Sequence, residues 1–490
     1  MNCLKYFFNL FVGLLVINAM AIGQEKRPNI IFILTDDQRW DALGVAGNSI
    51  IQTPEMDALA RTGTYFKNAF STTPICAASR ASILTGLYER THGYTFQKPR
   101  LKQPYADIIY PKLLKENGYH VGFFGKLGVV IDADKQYFDQ SDFYDRGGSP
   151  DRRGYFYKKI GKDTVHLTKY TGYQAQEFIK NAPADKPFCL SLSFSAPHGH
   201  DNSVDQYFWQ DKSADLYKNI QIPEPLLGDD EYFNRLPKEV REGFNRVRWK
   251  WRFDSPEKYQ QMVKGYYRMI TEIDNEIGQI RQQLKTKGID DNTIIIVMGD
   301  NGYFLGDRQL ADKWLMYDVS IRIPLIIYDP RVKKSSSVDE MVLNIDITKT
   351  MMDMAGVTAP KNYQGKSLTP LLVNNKAHLN RNAILIEHLW DNPDIPSSEA
   401  IRTERWKYFR YRLIKAPEEL YDLKNDPLEK NNLASDIQYA KILAKLRADP
   451  NRYLSKKALE TFSPKLLKLL TNLEETRGKG ETWVNQFVYS

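Results

Sequence analysis

Four short apolar runs each end on residues that can do chemistry. NIIFIL (29–34) runs into Thr35, Asp36 and Asp37, and YHVGFF (119–124) into Gly125 and Lys126. FCLSLSF (188–194) runs into Ser195, Ala196, Pro197 and His198, and TIIIVM (293–298) into Gly299, Asp300 and Asn301. Asp36, Asp37, Asp300 and Asn301 supply hard oxygen ligands and no soft ones, a set that suits calcium or magnesium better than zinc. The seven histidines include no His-x-x-x-His pair, which counts against a two-zinc centre. Arg80, Lys126, His198 and Lys313 can all donate hydrogen bonds to an anion, and Arg80 has the planar fork that matches a tetrahedral oxyanion such as sulfate or phosphate. A divalent cation beside such donors stabilises charge that develops on transferred oxygens. Any one of these ends could be an ordinary turn; four together point to one site.

The runs read as buried strands, joined by IPLIIY (323–328) and AILIEH (383–388). Between them lie helical stretches: TPEMDALARTG (53–63), with a Thr-Pro start and a glycine stop, YPKLLKENG (110–118), and a long helix over 255–288. Alternating strands and helices predict an α/β/α sandwich around a large, mostly parallel mixed sheet. In such sheets ligands bind at the carboxyl ends of the strands. Past residue 375 the polar VNNKAHLNRN reads as a linker, and AIRTERWKYFRY and EELYDLKNDPLEKNNLA as strands of a smaller antiparallel sheet with helices after them. The expected division is therefore a leader at 1–23, a catalytic α/β domain at 24–375 and an α+β subdomain at 376–490. The segments 139–165 and 199–254 are long, polar and aromatic, with few strand signals, and read as walls of a binding cleft.

The first 23 residues hold one lysine, an apolar run and a small-residue end at Ala21-Ile22-Gly23, the pattern of a signal peptide cleaved near Gly23. A secreted or periplasmic protein follows, with no stable membrane insertion and no nucleic-acid partner. The formal net charge is +8; loss of Lys5 with the leader leaves +7, which suits an anionic substrate and equally a solvated basic surface. Export leaves two cysteines, Cys76 and Cys189, which in an oxidising compartment could pair or stay free.

The surroundings of Cys76 are more informative. Cys76-Ala77-Ala78-Ser79-Arg80, followed by Leu84-Thr85-Gly86, resembles the signature of the sulfatase family, Cys/Ser-x-Pro/Ala-Ser-Arg-x-x-x-Leu-Thr-Gly. PNIIFILTDDQR resembles the family's first metal strand, GDNG its second metal element, Gly125-Lys126 its lysine turn and APH (196–198) its histidine turn. DKWLMYDVSIRIPLIIYDPR resembles the segment of its last lysine, and ELYDLKNDPLEKNNLA its C-terminal signature. The likeness runs from about residue 27 to 436, and Lys313 takes its weight from it alone.

The resemblance implies that Cys76 is converted to formylglycine (3-oxoalanine) by a formylglycine-generating or anaerobic sulfatase-maturating enzyme. It implies that Asp36, Asp37, Asp300, Asn301 and modified Cys76 bind Ca2+, and that Arg80, Lys126, His198 and Lys313 hold the sulfate. One hydroxyl of the hydrated aldehyde would attack sulfur with help from calcium and Asp300. His198 or Lys313 would protonate the leaving alcohol, and collapse of the sulfated diol would release sulfate.

Two positions depart from the family's pattern. Its lysine turn is Gly-Lys-Trp-His, and here Gly128 stands where the histidine would be; His92 is a stand-in candidate. Its Pro-His-x-Pro becomes Pro197-His198-Gly199-His200, so His200 is a candidate for facing the substrate. Arginines and aromatics in DRGGSPDRRGYF (145–156) and FNRVRWKWRFD (244–254) suit further sulfates and sugar faces. The substrate implied is a sulfated poly- or oligosaccharide, algal (ulvan, carrageenan) or glycosaminoglycan, attacked from its end. The alternatives are a phosphomonoester or phosphodiester hydrolase on the same fold and a non-catalytic sulfated-glycan-binding protein.

Overall fold

A computed structural model describes residues 26–96, 100–131, 136–147, 154–201, 203–374 and 376–447. The leader at 1–23 and most of the helical end expected after the last strands lie outside these residues. An eight-stranded sheet runs in the order Ser336–Val338, Thr64–Phe66, Leu325–Tyr328, Thr293–Gly299, Asn29–Thr35, Phe188–Ser193, His120–Gly125, Gln140–Phe143. The last five strands of that order are mutually parallel, and Leu325–Tyr328 is antiparallel to both its neighbours.

Both faces of the central strands are covered, which is why they read as unbroken apolar runs rather than alternating ones. Ile31, Ile33, Leu190, Leu192, Ile295 and Val297 face one core, closed by the helices Leu167–Asn181 and Pro256–Lys287. Ile30, Phe32, Leu34, Cys189, Ile294, Ile296 and Met298 face the other, closed by the helices Cys76–Thr85, Tyr110–Glu116 and Asp346–Met354. This is the expected α/β/α sandwich. A four-stranded antiparallel sheet follows: Ile384–His388, Ser398–Arg402, Trp406–Tyr411 and Glu419–Asp422. One of its faces shares a core with Phe70, Phe304, Leu310 and Leu315, so it is welded to the large part. Leu443 and Leu446, in a helix that begins at 440, cover the other face.

Two elements depart from expectation. Gln140–Phe143 is a strand at the sheet edge although its side chains are exposed or half-buried, and Phe156–Ile160 pairs with Asp163–His166 as a hairpin. Both lie in the stretch read as strand-poor. No helix among the described residues is long and apolar enough to cross a membrane.

Candidate active site

The four strand ends converge because the sheet's hydrogen bonding continues past the strands. Asp36 N–H donates to Ala196 O (3.1 Å), Asp300 N–H to Thr35 O (3.0 Å) and Lys126 N–H to Ser193 O (2.8 Å). The helix Cys76–Thr85 delivers the fifth component. All ten of its residues are buried, and its start is an apolar cap, Ile75, that makes no side-chain bond. The first-turn N–H groups are therefore not taken up by a capping side chain, the arrangement that favours an anion at a helix start.

Arg80, on the same helix, ties the parts together. Its Nε and Nη2 each lie 2.9 Å from Asp300 Oδ2, and Nη1 donates to Lys126 O (2.7 Å) and Ser193 Oγ (2.5 Å). Lys126 Nζ donates to Asp36 Oδ2 at 2.5 Å, and Lys313 Nζ to Asp37 Oδ1. Asn301 Nδ2 donates to Asp37 Oδ1 (2.7 Å), and His198 Nε2 lies 3.4 Å from Asp37 Oδ2. Thus Asp36, Asp37, Asp300, Asn301, Arg80, Lys126, His198 and Lys313 form one linked cluster. Cys76 joins Lys126, His198 and Lys313 in the wall of the adjoining cleft.

Three buried oxygens in this cluster have no hydrogen-bond partner: Asp36 Oδ1, Asp37 Oδ2 and Asn301 Oδ1. An orphaned buried carboxylate oxygen is costly unless a cation serves it. Hard oxygens of this kind fit a calcium-type ion. Ligand atoms of Asp36, Asp37 and His198 lie within 4.8 Å of one another. Asp300 differs: Oδ1 accepts from Asp37 N–H (3.1 Å) and Oδ2 serves Arg80, so its oxygens are already engaged.

The electrostatics follow from burial and crowding. Burial would raise Asp36, yet Lys126, Arg80 and Lys313 together hold it below the usual carboxylate range. Burial, with Asp36, Asp312 and Asp300 nearby, pushes Asp37 up to about 7 against the pull of Lys313. Burial also raises the Cys76 thiol despite Lys126 and Lys313. An unmodified Cys76 is thus a neutral thiol and a poor nucleophile. Burial, reinforced by Arg146, Lys313 and Lys126, drives His198 well below its ordinary value. Its imidazole is neutral; with Nδ1–H donated to Gly199 O (2.6 Å), the Nε2 lone pair faces the acids.

The cleft has a volume of about 840 Å³. Arg146, one of the arginines expected from the 145–156 stretch, lies in its wall, together with Asp145 and with Asp201, Trp314 and Trp390, to which the sequence assigned no role. Trp390 stacks on Phe96 with ring centroids 4.9 Å apart. The two cysteines are unpaired; Cys189 sits inside the second core while Cys76 faces the cleft.

Three expectations need correction. His92 does not reach the cleft: Nδ1 accepts from Tyr94 N–H (3.0 Å), Nε2 lies 2.9 Å from Ser82 Oγ, and burial lowers its pKa to about 3. It closes a short helix end. His200 is not a cleft residue either; its ring packs under Gly154 and edge-on to Phe208. The arginines of 244–254 all have protein partners, although Arg248 lines the cleft; Arg246 donates to Gln309 O (3.1 Å) and Oε1 (2.9 Å). Arg248 is bound by Asp312 and by Asp201 (2.5 Å), and Arg252 by Asp201, Asp312 and Tyr303. Of the 145–156 stretch, 148–153 lies outside the described residues.

Gly128 adopts φ +70°, and a Cβ there would stand 2.7 Å from Arg80 Cδ. The turn has closed onto Arg80 in a conformation that side chains rarely adopt. Gly128→His should therefore lower kcat/KM by at least about tenfold and lower Tm through backbone strain of about 1–2 kcal/mol. Kinetics and melting curves check this; a gain of activity would mean that the site merely lacks its histidine.

The sulfatase family's sequence model matches residues 28–357, more than half of the chain. The chain belongs to the sulfatase family. It is a sulfuric ester hydrolase by that membership. A model described as "N-sulphoglucosamine sulphohydrolase, C-terminal" also matches residues 306–456 of this sulfatase. It is 29% identical to an N-acetylglucosamine-6-O-sulfatase of Bacteroides thetaiotaomicron, over 85% of this chain and 84% of that one. It is 27% identical to an ulvan-active sulfatase of Formosa agariphila, over 88% and 82%. A solved structure in complex with its substrate D-glucosamine-2-N,6-O-disulfate superposes on the sulfatase with TM-score 0.75 at 27% identity, covering 88% of this chain and 98% of that one. The phosphonate monoester hydrolase of Silicibacter pomeroyi shares the fold, with TM-score 0.71 at 24% identity over 88% and 96%.

Proposed function

We propose that this sulfatase removes sulfate from the end of a sulfated saccharide, by way of a formylglycine at Cys76 and a bound calcium ion. The observation that carries this is the placement of Cys76 beside Lys126, His198 and Lys313, next to buried acids with orphaned oxygens. Formylglycine would supply a hydroxyl nucleophile that the neutral thiol lacks, and calcium would supply positive charge. Asp36, Asp37 and Asn301 are the residues that would hold the ion, with Asp300 fixing Arg80 beside it.

The chain's own groups do the rest. Lys126, Lys313 and Arg80 set positive charge around the sulfate oxygens. His198 enters neutral; an anion alongside raises its affinity for a proton, so that Nε2 can hold one near the leaving oxygen. The cleft supports a saccharide: Trp390 and Phe96 form an aromatic platform, and the polar groups of Asp201 and Asn392 line the same space. The named relatives that act on N-acetylglucosamine-6-sulfate, ulvan or D-glucosamine disulfate favour the same class. The leader pattern at 1–23 supports secretion or a periplasmic location, where a maturating enzyme would meet the chain on its way out.

Hydrolysis rates on matched aryl sulfate and aryl phosphonate probes, together with a panel of sulfated glucosamine and ulvan oligosaccharides, test this. Sulfate release from an oligosaccharide is the expected result, with Trp390→Ala raising KM about fivefold for saccharide and less for aryl sulfate. Preferential hydrolysis of the phosphonate probe would sink the proposal.

A further inference from the structure

Behind the cleft lies a buried acid that the chemistry above does not use. Glu89 opens the short helix Glu89–His92 and is 1% exposed. The Thr73 hydroxyl lies 2.8 Å from Glu89 Oε2 and 2.6 Å from the backbone carbonyl oxygen of Glu387. That hydroxyl has one hydrogen and two acceptors around it. The conflict disappears if Thr73 donates to the Glu387 carbonyl and Glu89, as the neutral acid, donates to Thr73.

Charge around Glu89 points the same way. The adjacent Arg90 is turned onto Glu387, whose Oε1 also takes Arg90 N–H at 2.9 Å, and reaches Glu399 at 3.5 Å. Glu399 is in turn bound by Arg410. Glu387 and Glu399 are thus balanced by Arg90 and Arg410, and among the described residues no ion pair joins a cation to Glu89. His388, beside them, is buried and its pKa is lowered to about 4, so it brings no charge. The remaining contacts are the Leu389 N–H at 3.3 Å and the Thr95 hydroxyl, while Glu89 Oε1 has no hydrogen-bond partner. Burial, with Glu387 as the like charge, pushes Glu89 up to about 8.

The three segments joined here all shape the site. Thr73 precedes Cys76 by one helical turn's length of chain, and Trp314 N–H is held by Pro74 O at 3.0 Å. Glu387 N–H donates to Thr72 O (2.9 Å), and the chain then runs through Leu389 to the Trp390 wall. We propose that Glu89 is a positioning residue that works as the neutral acid, its proton bridging through Thr73 to Glu387 and so locking the Cys76 segment to the Trp390 wall.

Its sign is set by linkage. A carboxyl whose pKa is raised on folding stabilises the fold fully below the ordinary carboxylate range, and that contribution is lost as the pH rises through about 8. The test compares the full-length wild type with Glu89→Gln and Glu89→Ala, by Tm from pH 5 to 9 and by KM and kcat on an aryl sulfate and a sulfated saccharide. Glutamine can donate to Thr73 without a proton to lose. Glu89→Gln should stay within about twofold of wild-type kcat/KM at pH 6, and should lack both the fall in Tm between about pH 5 and 8 and the rise in KM as the pH passes about 8. Glu89→Ala should have a lower Tm and a higher KM than wild type at pH 6 and below. Glu89→Gln as damaged as Glu89→Ala at pH 6, or Tm profiles parallel to wild type throughout, would overturn the proposal. The melting arm needs no turnover, so it stands apart from the assignment of substrate.

Discussion

Cys76→Ala should abolish sulfate-ester hydrolysis, by more than about 10⁴-fold, and leave the fold intact. Loss of a covalent nucleophile costs on that scale because the remaining groups can only bind and polarise. The stability cost is small because only one sulfur atom goes from a residue already at the cleft wall, about 1 kcal/mol by the usual cavity cost. The same experiment separates the enzyme from a sulfated-glycan-binding protein, since affinity for the saccharide should persist in the variant. Peptide mass spectrometry on protein from its native host completes it. The tryptic peptide Asn68 to Arg80 should carry the mass of formylglycine at Cys76. Full hydrolysis by Cys76→Ala, or a peptide holding only cysteine in active enzyme, would refute the mechanism.

Chelation of divalent cations has the second largest effect. Three buried oxygens without hydrogen-bond partners, at Asp36, Asp37 and Asn301, suit a cation. Calcium at a hundredfold excess over its Kd should stabilise the fold by about 2.7 kcal/mol, and the melting temperature should fall again with chelator. Turnover should drop by at least about 10³-fold in the chelated enzyme and return with calcium. Asp37→Asn should abolish the calcium-dependent rise in Tm, whatever it does to rate. A melting temperature indifferent to chelator and calcium in wild type would mean that this oxygen set holds no metal.

The sheet and the cluster could be read from the chain because their signals are local. A strand buried on both faces is an apolar run, and each run here ends within a few residues of its polar group. The helix of Cys76 announces its end by Gly86 after Thr85, while its start carries no capping side chain. What stayed hidden depends on pairing between distant segments. Gln140–Phe143 is polar, and only the neighbouring strand makes it part of the sheet. Arg248 and Arg252 look like anion ligands in sequence; Asp201 and Asp312, from elsewhere in the chain, had already claimed them. Ser193, which anchors Arg80, is one more small residue in an apolar run, and Ser79, whose hydroxyl donates to Asp300 O at 2.6 Å, stands in the Cys76 signature with no role that the sequence assigns it. Trp390 gave no sign because its role depends on how the C-terminal sheet docks.

That docking also sets an order of events in the birth of the molecule. The chain before Cys76 is gripped from both sides, by Glu387 and by Trp314, and the first of these is made some three hundred residues later. Until the last quarter of the polypeptide has emerged and folded back, the segment around Cys76 lacks the Glu387 clamp and is held at most by Trp314. Once the strand Ile384–His388 has closed, Cys76 is 7% exposed at the head of a fully buried helix. A catalyst that converted this residue would therefore have to reach the chain before that strand closes, so folding speed, rather than affinity for the finished protein, would decide what fraction is converted.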